Sequence, residues 1–220
     1  MLKEKEKYLR PRIMHGKVLS DSFRIKKAEE NMKKGEVVIQ LHKPSVNERL
    51  FFLLCGGILS VPLTLFIDQY ASELLAGFST FYASLISVAV FAPFIEEFSK
   101  IFPLFYRHGE TQRSIFSLAL FVGLGFGIVE FLTYIFALGA SPIERIPGLF
   151  FHPASTSIIA YGVATKRPIP YYFAAVALHF SNNFLAVINS SAVPSSLLIV
   201  AVAVFTSYWL HGKTKEKFIN

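Results

Sequence analysis

From residue 50 onward the chain consists of long apolar runs, and this feature restricts its possible folds more than any other. A helix needs about 20 apolar residues to cross the hydrocarbon core of a bilayer. Six runs have about that length or exceed it: residues 50–67, 74–106, 114–138, 146–165, 171–188 and 193–210. We therefore predict an all-α, polytopic membrane bundle of about six spans.

The run at residues 74–106 is long enough for one kinked crossing or for two short ones. The basic residues of the loops distinguish the two cases, because Lys and Arg accumulate on the cytosolic side. A single crossing places all but one of the later loop cations inside, and only Arg145 outside. Two crossings would reverse this distribution. We predict a single crossing, with both termini in the cytosol and the protein in the cell membrane.

Charge is concentrated at the N-terminus, since residues 1–49 carry nearly all of the net charge of +7. This segment is predicted to be a basic cytosolic region, followed by a membrane domain at residues 50–211 and a short basic cytosolic tail at 212–220. Its cations alternate with Glu and form no nucleic-acid-binding motif, so a bilayer surface is the expected partner, with no nucleic acid. The sequence leaves the oligomeric state open.

The second run contains Glu96, Glu97 and Lys100, although a charged residue at membrane depth costs about 2.5–3.5 kcal/mol. Three such residues together indicate a functional site. Lys100 follows the two glutamates by four and three residues, so it can pair with either one on a helix. Pro93 predicts a kink just before Glu96, which frees backbone carbonyls that need partners or water.

Three other runs each contain one ionisable residue at membrane depth, namely Glu130, His152 and His179. Asn183 follows His179 by four residues, and the two side chains could together hold an oxyanion. Singly, each has a plainer explanation, such as a packed histidine or an interhelical hydrogen bond. Jointly, four spans that each carry at least one costly group predict a single internal site.

These residues resemble the motifs of the PrsW family of intramembrane peptidases, which is grouped with the CAAX prenyl endopeptidases and bacteriocin-processing membrane proteins. Residues 96–100 match a Glu-Glu-x-x-Lys motif, residues 126–130 match Phe-x-x-x-Glu, and residues 179–183 match His-x-x-x-Asp/Asn. The remaining motif has His152, but Gly148 replaces its expected aromatic residue. The resemblance covers about residues 50–210.

The resemblance implies a metal-independent glutamate peptidase without a cofactor. Its substrate would be a membrane protein or a membrane-bound peptide, such as a single-span anti-sigma factor. One residue of the Glu96–Glu97 pair, here assigned as Glu96, would activate water, and Glu130 would stand where the prenyl endopeptidases have a histidine. His179 and Asn183 would stabilise the oxyanion, and His152 would assist proton transfer or substrate placement. Lys100 and Phe126 are expected to support these groups.

Two alternatives remain open from the residues themselves. Glu96, Glu97, Glu130, His152 and His179 are ligands that zinc accepts, so the same cluster could form a zinc peptidase. A non-proteolytic transporter or scaffold could use the glutamates and Lys100 as an ion relay. A serine nucleophile at Ser155 is a weaker possibility. The six-span arrangement puts His152 near the outer end of its span and Glu96 nearer the inner half.

Overall fold

The computed structural model describes residues 43–106, 111–188 and 193–216, all within one compact unit, and its regular elements in these ranges are helices. Helix α1 spans Val46–Leu74, and α2 covers residues 80–101 and continues into a 3₁₀ turn at Phe102–Tyr106. They are followed by α3 (Gln112–Phe136), α4 (Pro142–Ala164), α5 (Pro168–Ile188) and α6 (Val193–Lys213). The prediction of an all-α helical bundle is confirmed. Most of the predicted N-terminal segment and the end of the predicted tail lie outside the described residues.

Four of these helices are long and apolar enough to cross a membrane, namely α1, α3, α5 and residues Ser196–Lys213 of α6. The other two are α2, which carries Glu96, Glu97 and Lys100, and α4, which carries His152. Large apolar side chains cover the outer surface, including Ile58 and Phe205, and a bilayer is the environment that such a surface requires. The molecule is therefore a polytopic membrane bundle.

The first helix is longer than the sequence predicts. Ser45 begins it with a capping box, in which its hydroxyl accepts from the Glu48 amide at 3.2 Å and the Glu48 carboxylate accepts from the Ser45 amide at 2.8 Å. The helix continues through Asp68 to Leu74, past the end of the apolar run at residue 67. Asp68 is half-buried there, and its Oδ1 atom is buried without a hydrogen-bond partner among the described residues.

Both α1 and α2 contain a π-helical stretch, at Gly56–Ser60 and at Leu85–Phe91. In each helix a proline follows within two residues, Pro62 and Pro93 respectively. Proline lacks an amide proton and clashes with the carbonyl four residues before it, and a wider turn relieves both problems. The predicted departure from regular helix before Glu96 therefore takes the form of a π-helical segment.

Close packing of α3 against its neighbours sets the depth of the site. A Cβ atom at Gly123 would overlap the backbone of His152 and Pro153 in α4, and one at Gly125 would overlap the Leu53 carbonyl in α1. Glycine at these positions lets the helix backbones touch, as small residues do in membrane bundles. The contact between α3 and α4 also brings Glu130, which lies further along α3, beside His152.

Candidate functional site

The polar side chains of four helices meet at one place inside the bundle. Helix α2 contributes Glu96, Glu97 and Lys100, while α3, α4 and α5 contribute one residue each, respectively Glu130, His152 and His179. We call these six residues the Glu–His cluster. The sequence predicts that His152 lies near the outer end of its span and Glu96 nearer the inner half. In the structure the two side chains lie close together and belong to one site.

Glu97 is the centre of the hydrogen-bond network. Its side chain is fully buried, and its Oε1 atom accepts from Lys100 Nζ at 2.6 Å, His179 Nδ1 at 2.8 Å and Ser155 Oγ at 3.1 Å. Of the two carboxylates that Lys100 could reach, it pairs with Glu97. Three donors on one oxygen hold Glu97 in a fixed position.

Lys100 also fixes the protonation of His152. Its ammonium group lies 3.0 Å from His152 Nδ1 and 3.4 Å from Ser155 Oγ. An ammonium group has no acceptor, so His152 Nδ1 must accept. In the neutral imidazole the proton is then on Nε2, which donates to Glu130 Oε2. Lys100 thereby determines that the proton of the neutral His152 ring is on Nε2, the nitrogen that faces Glu130.

The aromatic residue of the second motif supports this arrangement. The ring of Phe126 lies 5.0 Å from the His152 ring and 5.2 Å from Lys100 Nζ, measured to the ring centroid. Phe126 is one turn before Glu130 on α3, so it packs beneath the Glu130–His152 pair. Its ring contacts His152 and Lys100, and its supporting role stays a prediction.

Glu96 differs from Glu97 in its surroundings. Its Oε2 atom is buried and has no hydrogen-bond partner among the described residues, and His179 Nε2 lies 3.7 Å away. The side chains of Glu96 and Glu130 are 13% and 28% exposed, whereas those of Glu97 and Lys100 are 0% exposed. The cluster is therefore accessible from the Glu96–Glu130 side.

The departure from the family pattern at Gly148 has a structural consequence. A Cβ atom there would lie 3.8 Å from His152 Nε2 and 3.9 Å from Glu130 Oε2. Any larger side chain would extend over these two groups. Glycine keeps the space next to the His152–Glu130 pair open.

In the structure the side chain of Asn183 contacts helix α2. Its Nδ2 atom donates to the Val88 carbonyl at 2.9 Å, within the π-helical segment of α2. Tyr172 similarly donates to the Phe94 carbonyl at 2.7 Å. These contacts supply the partners that a distorted helix needs. As placed, the Asn183 amide is committed to Val88, and an oxyanion role stays a prediction.

Two residues of the site were not assigned to it from the sequence. Ser155 was considered only as a nucleophile, but its hydroxyl donates to Glu97 and accepts from Lys100. The ring of Phe151 packs edge-on against His179 at 5.1 Å between centroids. The spacing of Ser155, three residues after His152, could have indicated a shared helix face. No sequence signal distinguishes Phe151 from other apolar residues.

The donor set partly fits a metal ion. Ligand atoms of Glu96, Glu130 and His152 all lie within 4.8 Å of one another, and two carboxylates with one imidazole suit zinc. A metal-binding histidine usually donates its other ring nitrogen to a carboxylate or a carbonyl. Here His152 Nδ1 faces the ammonium of Lys100, so Nε2 carries the proton and has no lone pair for a metal. The positions fit a metal, but the protonation of His152 does not.

Comparison with known families identifies the kind of protein to which the chain is similar. The model of a family described as PrsW family intramembrane metalloproteases matches residues 46–210, most of the chain. The matched range begins at the first residue of α1 and includes every member of the Glu–His cluster. Searches of curated proteins and of solved structures gave no significant match.

Proposed function

Since the chain belongs to the PrsW family and is therefore a membrane-embedded peptidase, we propose that Glu96 is the general base of peptide-bond hydrolysis. The observation that carries the proposal is the contrast between two adjacent carboxylates. Glu97 is fully buried and three donors bind its Oε1 atom, whereas the side chain of Glu96 is 13% exposed, although each carboxylate has one buried oxygen without a partner among the described residues. A general base must reach the proton that it removes, and of the two carboxylates Glu96 is the one on the accessible side.

In this mechanism Glu96 removes a proton from water while the water oxygen attacks the scissile carbonyl carbon. The resulting oxyanion forms beside His179, whose Nδ1 atom donates to Glu97 and whose Nε2 atom faces Glu96. Because Nδ1 already holds one proton, Nε2 donates to the oxyanion only when the ring carries a proton on both nitrogens. The C–N bond then breaks, and the proton held by Glu96 passes to the leaving nitrogen. His152 and Glu130 form the wall opposite Glu96 and would place the substrate carbonyl. The substrate is a membrane protein or a membrane-bound peptide.

The decisive experiment compares cleavage products in membranes that contain wild type, Glu96→Gln or Glu73→Gln protein. Mass spectrometry of new N-termini identifies peptides that depend on the enzyme. We expect these peptides to fall to background with Glu96→Gln and to persist with Glu73→Gln, since Glu73 is an exposed carboxylate at the end of α1. Undiminished cleavage by Glu96→Gln would exclude Glu96 as the base.

A zinc peptidase built on the same residues is the second candidate, favoured by the grouping of Glu96, Glu130 and His152 and by the family's description. These residues would hold the ion, and zinc would supply Lewis-acid activation of the bound water. The ammonium of Lys100 against His152 argues for the metal-independent mechanism.

Elemental analysis distinguishes the two mechanisms. We expect purified protein to contain much less than one equivalent of zinc and to keep its cleavage rate after treatment with a strong chelator. Stoichiometric zinc that is lost from His152→Ala, with activity restored to the chelated wild type by zinc alone, would establish the metal-dependent mechanism instead.

A further inference from the structure

Helix α1 has a polar face that the proposed chemistry does not use. Ser60, Thr64 and Asp68 follow one another at intervals of four residues, so they lie on one side of the helix. Ser60 is fully buried and Thr64 is 8% exposed. Thr64 Oγ1 and Asp68 Oδ1 are buried atoms without a hydrogen-bond partner among the described residues. The Ser60 hydroxyl reaches only the Cys55 carbonyl of its own helix, at 3.4 Å.

The second half of α1, Val61–Leu74, packs mainly against Ala92–Ile101 of α2. That part of α2 carries Glu96 and, one turn later on the same side, Ser99. Ser99 is fully buried, and its hydroxyl also has no partner among the described residues. The buried oxygens without hydrogen-bond partners on α1 and on α2 therefore belong to the segments through which these two helices pack together.

Buried oxygens without protein partners need another explanation. Leaving one unsatisfied costs about 1–3 kcal/mol, and the large majority of buried polar groups have a partner in the protein or an ordered water. A site that offers several oxygens at one-turn spacing is polar enough to hold water molecules. Peptide hydrolysis also consumes one water molecule per bond, and that molecule must cross the hydrocarbon region to reach Glu96.

We propose that Thr64, Asp68 and Ser99 line a water-filled passage between α1 and α2 that delivers the reacting water to Glu96. Ser60 forms its wall on α1. The passage itself follows from the unpartnered oxygens, whereas its role as the water supply depends on the function proposed for Glu96. Thr64 and Asp68 are thus positioning residues for water, one helix away from the cluster.

X-ray radiolytic labelling in ¹⁸O-water tests for the passage directly, because radicals form from water molecules that lie beside the labelled side chain. The full-length protein in lipid nanodiscs would carry Cys55→Ser, which removes its one cysteine. Single changes Thr64→Cys and Asp68→Cys then report on the passage, and Leu65→Cys is the matched control. Leu65 is the neighbour of Thr64 and is 65% exposed on the outer, apolar surface.

We expect strong ¹⁸O incorporation at the introduced thiols of Thr64→Cys and Asp68→Cys, and little at that of Leu65→Cys. Labelling of both buried positions at or below the Leu65→Cys level would overturn the proposal. The measurement needs no cleavage activity, so it stands even if Glu96→Gln protein proves active and the proposed function fails.

A second variant provides a check that does not depend on a cysteine. Thr64→Val keeps the shape of the side chain and removes its hydroxyl. If the space is dry, loss of an unpartnered hydroxyl should raise the thermal unfolding midpoint. If the space holds water, we expect no rise in the midpoint and a lower kcat at unchanged KM. A raised midpoint with unchanged kcat would contradict the passage.

Discussion

At the scale of single residues, the two adjacent glutamates have different surroundings and therefore different expected functions. Glu97 is buried among three donors that include the ammonium of Lys100, and Glu96 faces the accessible side of the cluster. Removing one partner of a buried ion pair leaves an uncompensated charge and costs about 3–5 kcal/mol. Glu97 should therefore matter for folding, and Glu96 for chemistry.

We expect Glu97→Gln to lower both the thermal unfolding midpoint and the activity, with a loss of about 3–5 kcal/mol of stability. Glu96→Gln should abolish activity while keeping the midpoint within a few degrees of wild type. Thermal unfolding in detergent, followed in parallel with a cleavage assay, measures both effects.

The double variant Glu97→Gln/Lys100→Met serves as the control for this prediction. It removes the charge that Glu97→Gln leaves unpaired, so part of the lost stability should return while the activity stays low. If Glu96→Gln and Glu97→Gln were equally destabilising, the proposed separation of roles would be wrong.

At the scale of secondary-structure elements, glycines on α3 and α4 serve two different purposes. Gly123 permits backbone contact between α3 and α4, since a Cβ atom there would overlap His152 and Pro153. Gly148 leaves space beside His152 and Glu130, where a Cβ atom would make only ordinary contacts of 3.8 and 3.9 Å. The first glycine sets the helix packing and the second keeps the site open.

Three substitutions separate these purposes. Gly123→Ala should destabilise the protein by about 1–3 kcal/mol, as overpacking does. Gly148→Ala should be tolerated, whereas Gly148→Leu should lower the cleavage rate by covering His152, with a nearly unchanged unfolding midpoint. Unfolding midpoints and cleavage rates of the three purified variants test this. Full activity of Gly148→Leu would show that the substrate does not approach past this glycine.

At the scale of the whole molecule, the orientation in the bilayer follows from the loop charges. We propose that the protein lies in the cell membrane with both termini in the cytosol, because Arg145 is the single loop cation on the opposite side. Its guanidinium lies 3.6 Å from the ring centroid of Tyr134 at that end of the bundle. At the other end, Lys213 Nζ lies 3.4 Å from the ring centroid of Trp209. Such aromatic–cation pairs are typical of the two membrane interfaces.

Reporter fusions test this orientation. A fluorescent protein fused after Asn220 should fluoresce, because that fold forms in the cytosol. Alkaline phosphatase inserted in the loop at residues 137–141 should be active, because it folds only outside. Activity of the phosphatase after Asn220 would reverse the predicted topology.

The sequence by itself determined the type of fold and most of the residues of the site. Apolar runs of membrane-spanning length and the cost of a buried charge are local properties, so the bundle and the importance of Glu96, Glu97, Glu130, His152 and His179 could be predicted. The six predicted spans correspond to six helices within the described residues. What the sequence missed was the extension of the first helix past Asp68.

Only the tertiary structure decided how these residues pair. Lys100 could reach either glutamate, and the rotation of α2 against α4 and α5 selects Glu97. Asn183 contacts Val88 because a π-helical segment exposes that carbonyl. Ser155 joins the site through the same packing. Each of these contacts depends on the relative depth and rotation of the helices. Close glycine contacts and π-helical turns set that depth and rotation. No local pattern in the chain predicts which side chains then meet.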